Sequence, residues 1–438
     1  MSTIQWLSLA VVGVAVAAIV RGREVRLVLI LAAMTLGTLG GDPAAIVREF
    51  LSTFSSEKFV VPICCAMGFA YILRHTGCDA HLVRLLMKPV RRVRFLLIPG
   101  VLLVAFTVNI PVISQTSVAV CVGPVVIPLL KAAGYGPMTI AACLALGASI
   151  GGELLNPGAP ELLTVRGKTG VETMILARQY IPPLLIPYVL VAGLVFWFQS
   201  VRENRTATAT EPEPAAGGER INVLKAAVPL VPLALLFHTG PPLNLLAIPQ
   251  DWLAKTPESF GSRLIGAAML VGVLCALLVS PGHAKDGAKQ FFEGAGYGFT
   301  NVISLIVTGA CFAEGMKLCG LAAALGHAIA GSPELMLPLA AVVPMLFAFV
   351  SGSGIASTKG LYEFFHDPAV ALGHDPNAVG AAVSMGAAAG RTMSPVAAVV
   401  LMSGTLTGAK PFDIVKRVAP PLMAGLAASV ALRMLGAV

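Results

Sequence analysis

The sequence predicts an all-α polytopic membrane protein of two inverted repeats, with about ten transmembrane helices, two re-entrant helical hairpins and two broken helices. Of its 438 residues, 56% are hydrophobic and only 12% are charged, about half the charged fraction of a soluble domain. Apolar stretches long enough to cross a bilayer recur along the chain. Polar segments with glycine, serine or proline interrupt several of these stretches at membrane depth, which is typical of transporters.

A helix needs about 20 apolar residues to cross the hydrocarbon core of a bilayer. The spans predicted on this basis, of which the fourth and ninth are interrupted, lie at residues 3–20, 25–41, 57–76, 138–165, 180–200, 221–239, 262–281, 297–319, 378–408 and 418–437.

The distribution of basic residues predicts the orientation. No basic residue precedes the first span, whereas Arg21, Arg23 and Arg26 follow it, so the N-terminus is expected outside. Ten crossings return the C-terminus to the same, periplasmic, side of a bacterial inner membrane. The net charge of +8 comes mainly from short predicted inner loops, so it is attributed to topology and no nucleic-acid partner is expected.

Residues 201–220, VRENRTATATEPEPAAGGER, are polar and rich in proline, glycine and threonine, which predicts a flexible cytoplasmic linker. The linker separates a first inverted repeat, residues 1–200, from a second, residues 221–438. Within these repeats we expect scaffold helices at 1–56, hairpins at 95–131 and 335–372, and broken helices at 138–165 and 378–408.

The hairpins are predicted from short apolar arms that flank polar tips. The tips are NIPVISQTS (109–117) and SGSGIASTKG (351–360). The apolar arms hold about 13 to 16 residues, roughly 20 to 24 Å of helix, which is short of the roughly 30 Å hydrocarbon core. Full spans with a proline kink and a polar turn are the alternative, because two spans and one hairpin return the chain to the same side.

The two halves align at their interruptions. The aligned segments are AFTVNIPVISQT with AFVSGSGIASTK, GYGP with GHDP, and GGELLNP with AGRTMSP. The aligned positions are Ser114 with Ser357, Glu153 with Arg391, and Asn156 with Ser394. Five crossings per half would invert the second copy, and inverted repeats with broken helices are a signature of secondary transporters.

The interruptions predict an anion site at the membrane centre. Asn156-Pro157 and Ser394-Pro395 each join an N-cap residue to a proline suited to the first helical position. Four helix N-termini, two at these breaks and two at the hairpin tips, would then converge, and helix N-termini bind anions. The candidate residues for binding a substrate with two carboxylates are Asn109, Ser114, Gln115, Thr116, Asn156, Ser351, Ser353, Ser357, Thr358, Lys359, Arg391 and Ser394.

The charged candidates each leave an alternative open. Arg391 could hold a substrate carboxylate bidentately or pair with Glu153, and Lys359 could instead extend to the outer surface. Glu153 could carry a proton or help bind a cation, so the coupling ion is Na⁺ or H⁺, and no covalent cofactor is expected. The candidate cation site comprises Asn109, Gly151, Gly152, Glu153 and Gly390.

Four long motifs resemble the C-type anaerobic C4-dicarboxylate carriers, the DcuC branch of the ion transporter superfamily. These motifs are NIPVISQTSVAVCVGPVVIPLL, GASIGGELLNPGAPEL, SGSGIASTKGLYEFF and GAAAGRTMSPVAAVVLM. The resemblance implies a homodimer in which a transport domain moves like an elevator against a scaffold domain. It also implies that Ser114, Gln115, Thr116, Ser357 and Thr358 hold the substrate. Related sodium symporters carry Ser-Asn-Thr at both tips, whereas this chain has Ser-Gln-Thr and Ser-Thr-Lys.

The predicted function is secondary active transport of succinate, fumarate or malate by cation symport or antiport, in the lipid bilayer. A carrier for another organic anion, such as a tricarboxylate or an acidic amino acid, is one alternative, and an anion channel on the same scaffold is another. The sequence disfavours an enzyme. SGSG (351–354) only partly matches an intramembrane protease motif, and no HExxH motif occurs.

Overall fold

The fold was described from a computed structural model. It describes residues 3–21, 23–90, 97–204, 221–239, 245–253, 257–321, 324 and 332–436, and these contain helices and connections but no strand. A helix satisfies its backbone hydrogen bonds internally, as a segment in lipid must. Residues 205–220, most of the predicted linker, lie outside the described residues, and residues 201–204 belong to a helix.

Twenty α-helices of five or more residues are named here within the described ranges. Those of the first half are α1 Thr3–Val20, α2 Val25–Leu39, α3 Pro43–Phe54, α4 Glu57–Thr76, α5 Cys78–Val90, α6 Leu97–Asn109, α7 Gln115–Ala132, α8 Pro137–Ser149, α9 Pro160–Thr169 and α10 Pro182–Asn204. Those of the second half are α11 Val223–Ala227, α12 Val231–Thr239, α13 Pro257–Val279, α14 Ala284–Gly298, α15 Ser304–Leu318, α16 Met336–Ser351, α17 Gly354–Ala371, α18 Pro376–Thr392, α19 Ala398–Thr407 and α20 Pro411–Met434.

Fewer helices meet the length of a membrane span than the sequence predicted. Seven helices of the described chain are long and apolar enough to cross a bilayer, or up to eight if the bent helix α7 is one span. Within the predicted spans at 3–20, 25–41 and 221–239, the apolar helical stretches are shorter than 18 residues, namely Thr3–Ile19, Val25–Leu39 and Val223–Thr239. Hydropathy reports how apolar a segment is, but not where its helix begins and ends, and this accounts for the difference.

Two helices are interrupted inside long apolar segments. Helix α8 ends at Ser149 and α9 begins at Pro160, with a 3₁₀ turn at Gly152–Leu155 between them. Gly151 precedes this turn with φ of 107°, a left-handed conformation that a side chain would strain. In the second half, α18 ends at Thr392 and α19 begins at Ala398.

Two pairs of packed helices correspond to the predicted hairpins. Helix α6 has 13 residues and α16 has 16, whereas α7 and α17 have 18 each. The second arms are therefore longer than the sequence predicted, because each helix begins closer to the tip than its apolar run does. The tips that join the arms are short, residues 110–114 and 352–353.

The helices pack in two groups. In the first group, which we call the wall group, α13 and α14 pack on α4, and α15 packs on α2 and α3. In the second, the tip group, α16 and α17 pack on α18, α9 packs on α17, and α10 packs along α20. Helices α6, α7 and α19 of the same group pack on α8. Contact between α16 and α18 is so close that a Cβ atom on Gly386 would lie 1.9 Å from Ala341 O. Helices α15 and α17 meet where the two groups join.

Candidate anion-binding site

Four helix N-termini line one cavity between the two groups. Its volume is about 360 Å³, within the roughly 300–1,000 Å³ of small-molecule sites. The residues that line it at these helix starts are Ser114, Gln115 and Thr116 at α7; Gly158, Pro160 and Glu161 at α9; Ser353, Gly354 and Ile355 at α17; and Ala397, Ala398 and Val399 at α19. The first N–H groups of a helix have no partner within that helix, so all four starts direct positive potential into the cavity.

Serine hydroxyls cap the two helices that begin at the hairpin tips. Ser114 precedes α7 and accepts a hydrogen bond from Ser117 N at 3.3 Å. Ser353 precedes α17 and accepts one from Ala356 N at 3.1 Å. The predicted alignment of Ser114 with Ser357 is therefore wrong, because the residue in the capping position of the second tip is Ser353.

The second tip accordingly lies four residues earlier than predicted. Ser357 and Thr358 lie within α17 and are fully buried. The Ser357 hydroxyl donates to Pro344 O at 2.7 Å, which ties the two arms of the hairpin together. The structure corrects the prediction that these residues form the tip, since the helix begins at Gly354 and encloses them.

Lys359 lies in a different, more polar cavity of about 620 Å³. Its ammonium group pairs with Glu363 and lies 5.4 Å from the centre of the Phe59 ring. Lys168 of α9 also pairs with Glu363, at 3.6 Å. Lys359 therefore neither lines the cavity at the helix starts nor extends freely to the surface, because the carboxylate of Glu363 holds it.

The breaks restart their helices later than the sequence predicted. Asn156-Pro157 and Ser394-Pro395 do not begin α9 and α19, which start after Ala159 and Ala397. The Asn156 side chain instead accepts from Gly158 N at 2.9 Å and donates to Ile110 O at 2.8 Å. These contacts fix the irregular backbone before the restart, as does the weaker bond from Val396 N to Ser394 Oγ at 3.4 Å.

Half of the predicted substrate-binding residues line the cavity. Those that do are Ser114, Gln115, Thr116, Ser351, Ser353 and Arg391. Those that do not are Asn109, Asn156, Ser357, Thr358, Lys359 and Ser394. The sequence located the correct segments, but it could not determine which side of each segment faces the cavity.

Arg391 is the one buried cation that lines this cavity in the described chain. Its guanidinium forms a close ion pair with Glu153 and a longer contact, 3.4 Å from Nη1 to Oε1, with Glu161. Ser149 accepts further hydrogen bonds from the guanidinium through its hydroxyl and carbonyl oxygens, at 3.4 and 3.5 Å. Of the alternatives left open by the sequence, pairing of Arg391 with Glu153 is therefore the one observed. Arg391 nevertheless still faces the cavity.

The groups of the candidate cation site have protein contacts. Asn109 Oδ1 accepts from Glu153 N at 3.1 Å, and its amide donates to Val112 O at 3.2 Å. Gly152 and Gly390 are positions of close helix approach, where an added Cβ would lie 2.5 Å from Phe106 O and 2.0 Å from Met345 O. In the described chain no cluster of three or more acidic, histidine or cysteine side chains is suited to a metal ion.

Sequence reasoning missed five cavity residues with polar side chains, namely Glu24, Arg26, Glu161, Tyr297 and Asn301. Glu161 occupies the first turn of α9, and an acid in a first helical turn usually only complements the helix dipole. Its predicted position within the membrane could have identified it, since intramembrane carboxylates are functional candidates by default. Tyr297 and Asn301 lie at the end of α14 and in the π-helical turn Phe299–Ile303, and only the tertiary fold brings them to the cavity.

The wall group covers the open side of the cavity with mostly apolar side chains. Ile63, Ala66 and Met67 of α4 face the helix starts, and Glu24 and Arg26 lie at the rim. Arg26 donates to Thr300 O at 2.8 Å. Most polar groups of the site therefore belong to the tip group, and the wall group contributes mainly apolar side chains.

Comparison with known proteins agrees with this architecture. The sequence model of the DcuC family, described as C4-dicarboxylate anaerobic carrier, matches residues 50–437. The anaerobic C4-dicarboxylate transporter DcuC of Escherichia coli K12 is 24% identical over 367 residues, 82% of this chain and 77% of its own. An uncharacterized transporter of Haemophilus influenzae is 30% identical over 206 residues, 47% of this chain and 70% of its own.

The fold is also similar to a solved structure. The Alcanivorax borkumensis YdaH transporter, whose crystal structure is described as having an unusual topology, superposes with a TM-score of 0.62 and 15% identity, covering 99% of this chain and 98% of that one. At this identity the likeness concerns the fold alone. The family match carries the assignment: this multi-pass membrane protein belongs to the DcuC family of C4-dicarboxylate anaerobic carriers, as its motifs predicted, and is a carrier rather than an enzyme.

Proposed function

We propose that the protein is a secondary active carrier of C4-dicarboxylates such as succinate, fumarate and malate, working by cation symport or antiport. One observation carries the proposal: four helix N-termini and a buried arginine meet in a single cavity. Such a site suits a small dianion, because backbone N–H groups bind carboxylate oxygens without adding net charge. The family membership supports the four-carbon class of substrate.

The two carboxylates of the substrate would bind at two clusters. One cluster is formed by Arg391 and the start of α17, where an added Cβ on Gly354 would lie 3.1 Å from Arg391 Nη1. The other is formed by the start of α7, where Gln115 and Thr116 face the cavity. Asn301 and Tyr297 of the wall group would contact the same substrate from the opposite side.

We infer that the tip group moves as an elevator against the wall group. The apolar side chains of α4 that line the cavity support this proposal, because they make no hydrogen bonds that would have to break when a polar site moves past them. A repeated order of helices, which inverted repeats require, is supported by the nearly constant sequence separation of matching helix starts: Gln115 and Gly354, Pro137 and Pro376, Pro160 and Ala398. The family resemblance further supports a homodimer in the inner membrane, and the basic loops support periplasmic termini.

Uptake of labelled succinate into proteoliposomes tests the function. A carrier gives saturable uptake that unlabelled succinate inside the vesicle stimulates, whereas a channel gives conductance without this stimulation. Competition by fumarate and malate, together with weak competition by citrate and aspartate, would support the C4-dicarboxylate assignment. Preferred exchange of citrate or aspartate would replace it with a carrier for another organic anion. Sodium and pH gradients imposed separately would identify the coupling ion.

A further inference from the structure

Two buried carboxylates share the guanidinium of Arg391, but only one of them faces the cavity. Glu153 and Glu161 are 0% and 2% exposed, and Arg391 is 6% exposed. Glu153 holds Arg391 in the close pair and does not line the cavity, whereas Glu161 lines it and makes the longer, 3.4 Å contact. The Glu161 contact is therefore the one that a molecule in the cavity can replace.

The charge of this cluster opposes its proposed substrate. With both carboxylates ionised, the three side chains carry a net charge of −1 next to a cavity that has to accept a dianion. Buried like charges interact strongly because the surroundings screen them poorly. Binding of a dianion therefore requires neutralisation of at least one negative charge in the cluster.

Glu161 also occupies a position where a substrate carboxylate would be favourable. It lies in the first turn of α9, beside an N-terminus that no side chain of the described chain caps, and it contacts the guanidinium. The second oxygens of Glu161 and Glu153, Oε2 in each, are both buried without a hydrogen-bond partner among the described residues, but of the two carboxylates only Glu161 lines the cavity. An ionised oxygen in such a position is costly, and a protonated one is not.

Glu161 has few charged neighbours. Helix α18 presents Arg391, the 3₁₀ turn before α9 presents Glu153, and Tyr188 of α10 lies near both of these. Helices α4 and α17 also pack on α9, and the parts of them that line the cavity are without charge. Across the cavity, the titratable or charged residues are Glu24, Arg26 and Tyr297.

We propose that Glu161 is the proton-carrying group of the transport cycle, and that a substrate carboxylate replaces it on Arg391 Nη1 when it is protonated. This inference rests on the proposed function and names its coupling ion. A proton from the water in the cavity binds the Glu161 carboxylate. The protonated side chain is neutral and no longer forms an ion pair with Arg391. The substrate carboxylate takes the vacated place on Nη1. When the substrate leaves, the proton returns to water and Glu161 pairs with Arg391 again.

The test compares wild type, Glu161→Gln and Glu363→Gln in lipid nanodiscs, with succinate binding measured calorimetrically between about pH 6.5 and pH 8.5, where both carboxyl groups of succinate are ionised. Since protonation favours binding, the wild-type Kd is expected to rise with pH, approaching about tenfold per pH unit. Binding should also take up about one proton, read with an indicator in weak buffer. Glu161→Gln should give a flat Kd and no proton uptake. Glu363→Gln alters a carboxylate of the other cavity and should behave as wild type.

The transport arm separates this inference from the proposed function. Glu161→Gln should keep succinate counterflow but lose accumulation driven by a pH gradient. A variant that retains the wild-type pH slope and proton uptake overturns the role of Glu161 while leaving the carrier assignment intact. Wild type that neither binds nor exchanges any C4-dicarboxylate overturns the proposed function itself.

Glu161→Asp provides a second variant in case Glu161→Gln does not fold. It keeps a titrating carboxylate on a shorter side chain, so the pH dependence should remain while its midpoint shifts. An unchanged midpoint would overturn the proposal, as would sodium-driven uptake by wild type that does not depend on pH.

Discussion

Removing the charge of Arg391 should destabilise the protein and weaken succinate binding, and the two effects can be separated. Arg391→Met leaves Glu153 and Glu161 buried without a cation. Breaking a buried ion pair from one side costs about 3–5 kcal/mol of folding stability. The triple variant that adds Glu153→Leu and Glu161→Leu removes all three charges, and replacement of a complete buried cluster by hydrophobic residues of similar volume is often close to neutral in stability. The triple variant should therefore regain most of the stability that Arg391→Met loses.

Binding should not recover with stability. Losing a buried charge partner of a ligand costs at least about 2 kcal/mol, which corresponds to a roughly 30-fold weaker Kd. Thermal unfolding in detergent measures the stability, and calorimetry with succinate measures the Kd. If the triple variant folds and binds succinate as tightly as wild type, Arg391 does not bind the substrate. If Arg391→Met alone is as stable as wild type, the argument from buried charge fails.

Three further substitutions test the geometry of the site. Gly354→Ala places a methyl group 3.1 Å from Arg391 Nη1 and should weaken succinate binding about tenfold. As a control, Gly193→Ala should bind succinate as wild type does, because its methyl group would meet nothing within 4 Å. Equal Kd values for the two variants would contradict the placement of the guanidinium. Lys359→Met should change the succinate Kd by less than about twofold, because Lys359 lines the other cavity. If it weakened succinate binding as much as Arg391→Met does, Lys359 would have to be counted among the binding residues. Gly386→Ala should prevent folding, because its Cβ would lie 1.9 Å from a backbone oxygen; normal yield on size-exclusion chromatography would refute the close packing of α16 on α18.

The sequence predicted where the helices break. Polar residues are energetically unfavourable within a membrane, so a polar segment inside a long apolar stretch is easily recognised. Its register at the second tip was wrong by four residues. The alignment matched the shared Ala-Phe pair and the neighbouring serines, whereas in the structure the residues that correspond are the N-cap residues of the two helices. Ser114 precedes α7 as Ser353 precedes α17, and the N-cap preference for serine would have favoured this register.

Which side of a segment faces the cavity could not be predicted from local pattern. Lys359 and Arg391 look alike in sequence, since each is a single cation in an apolar, glycine-containing stretch. Arg391 lies near the hairpin tips because α18 ends at Thr392, one residue later. Lys359 lies inside α17, past its start, and pairs with Glu363 one turn further along that helix. The positions of the two helix boundaries decide this difference, and hydropathy does not report them.

The contact between α15 and α17 allows the elevator itself to be tested. Gly309 of α15 faces α17, and an added Cβ would lie 3.5 Å from both Ala356 O and the Lys359 side chain, an ordinary van der Waals distance. Gly309→Ala should therefore transport succinate as wild type does. Gly309→Leu would place a branched side chain between a helix proposed to stay and one proposed to move. It should retain the wild-type succinate Kd, because Gly309 does not line the cavity, and yet lose uptake in proteoliposomes. Wild-type uptake by Gly309→Leu would mean that α15 and α17 do not slide past each other. Loss of binding along with uptake would mean that this contact shapes the site rather than its movement.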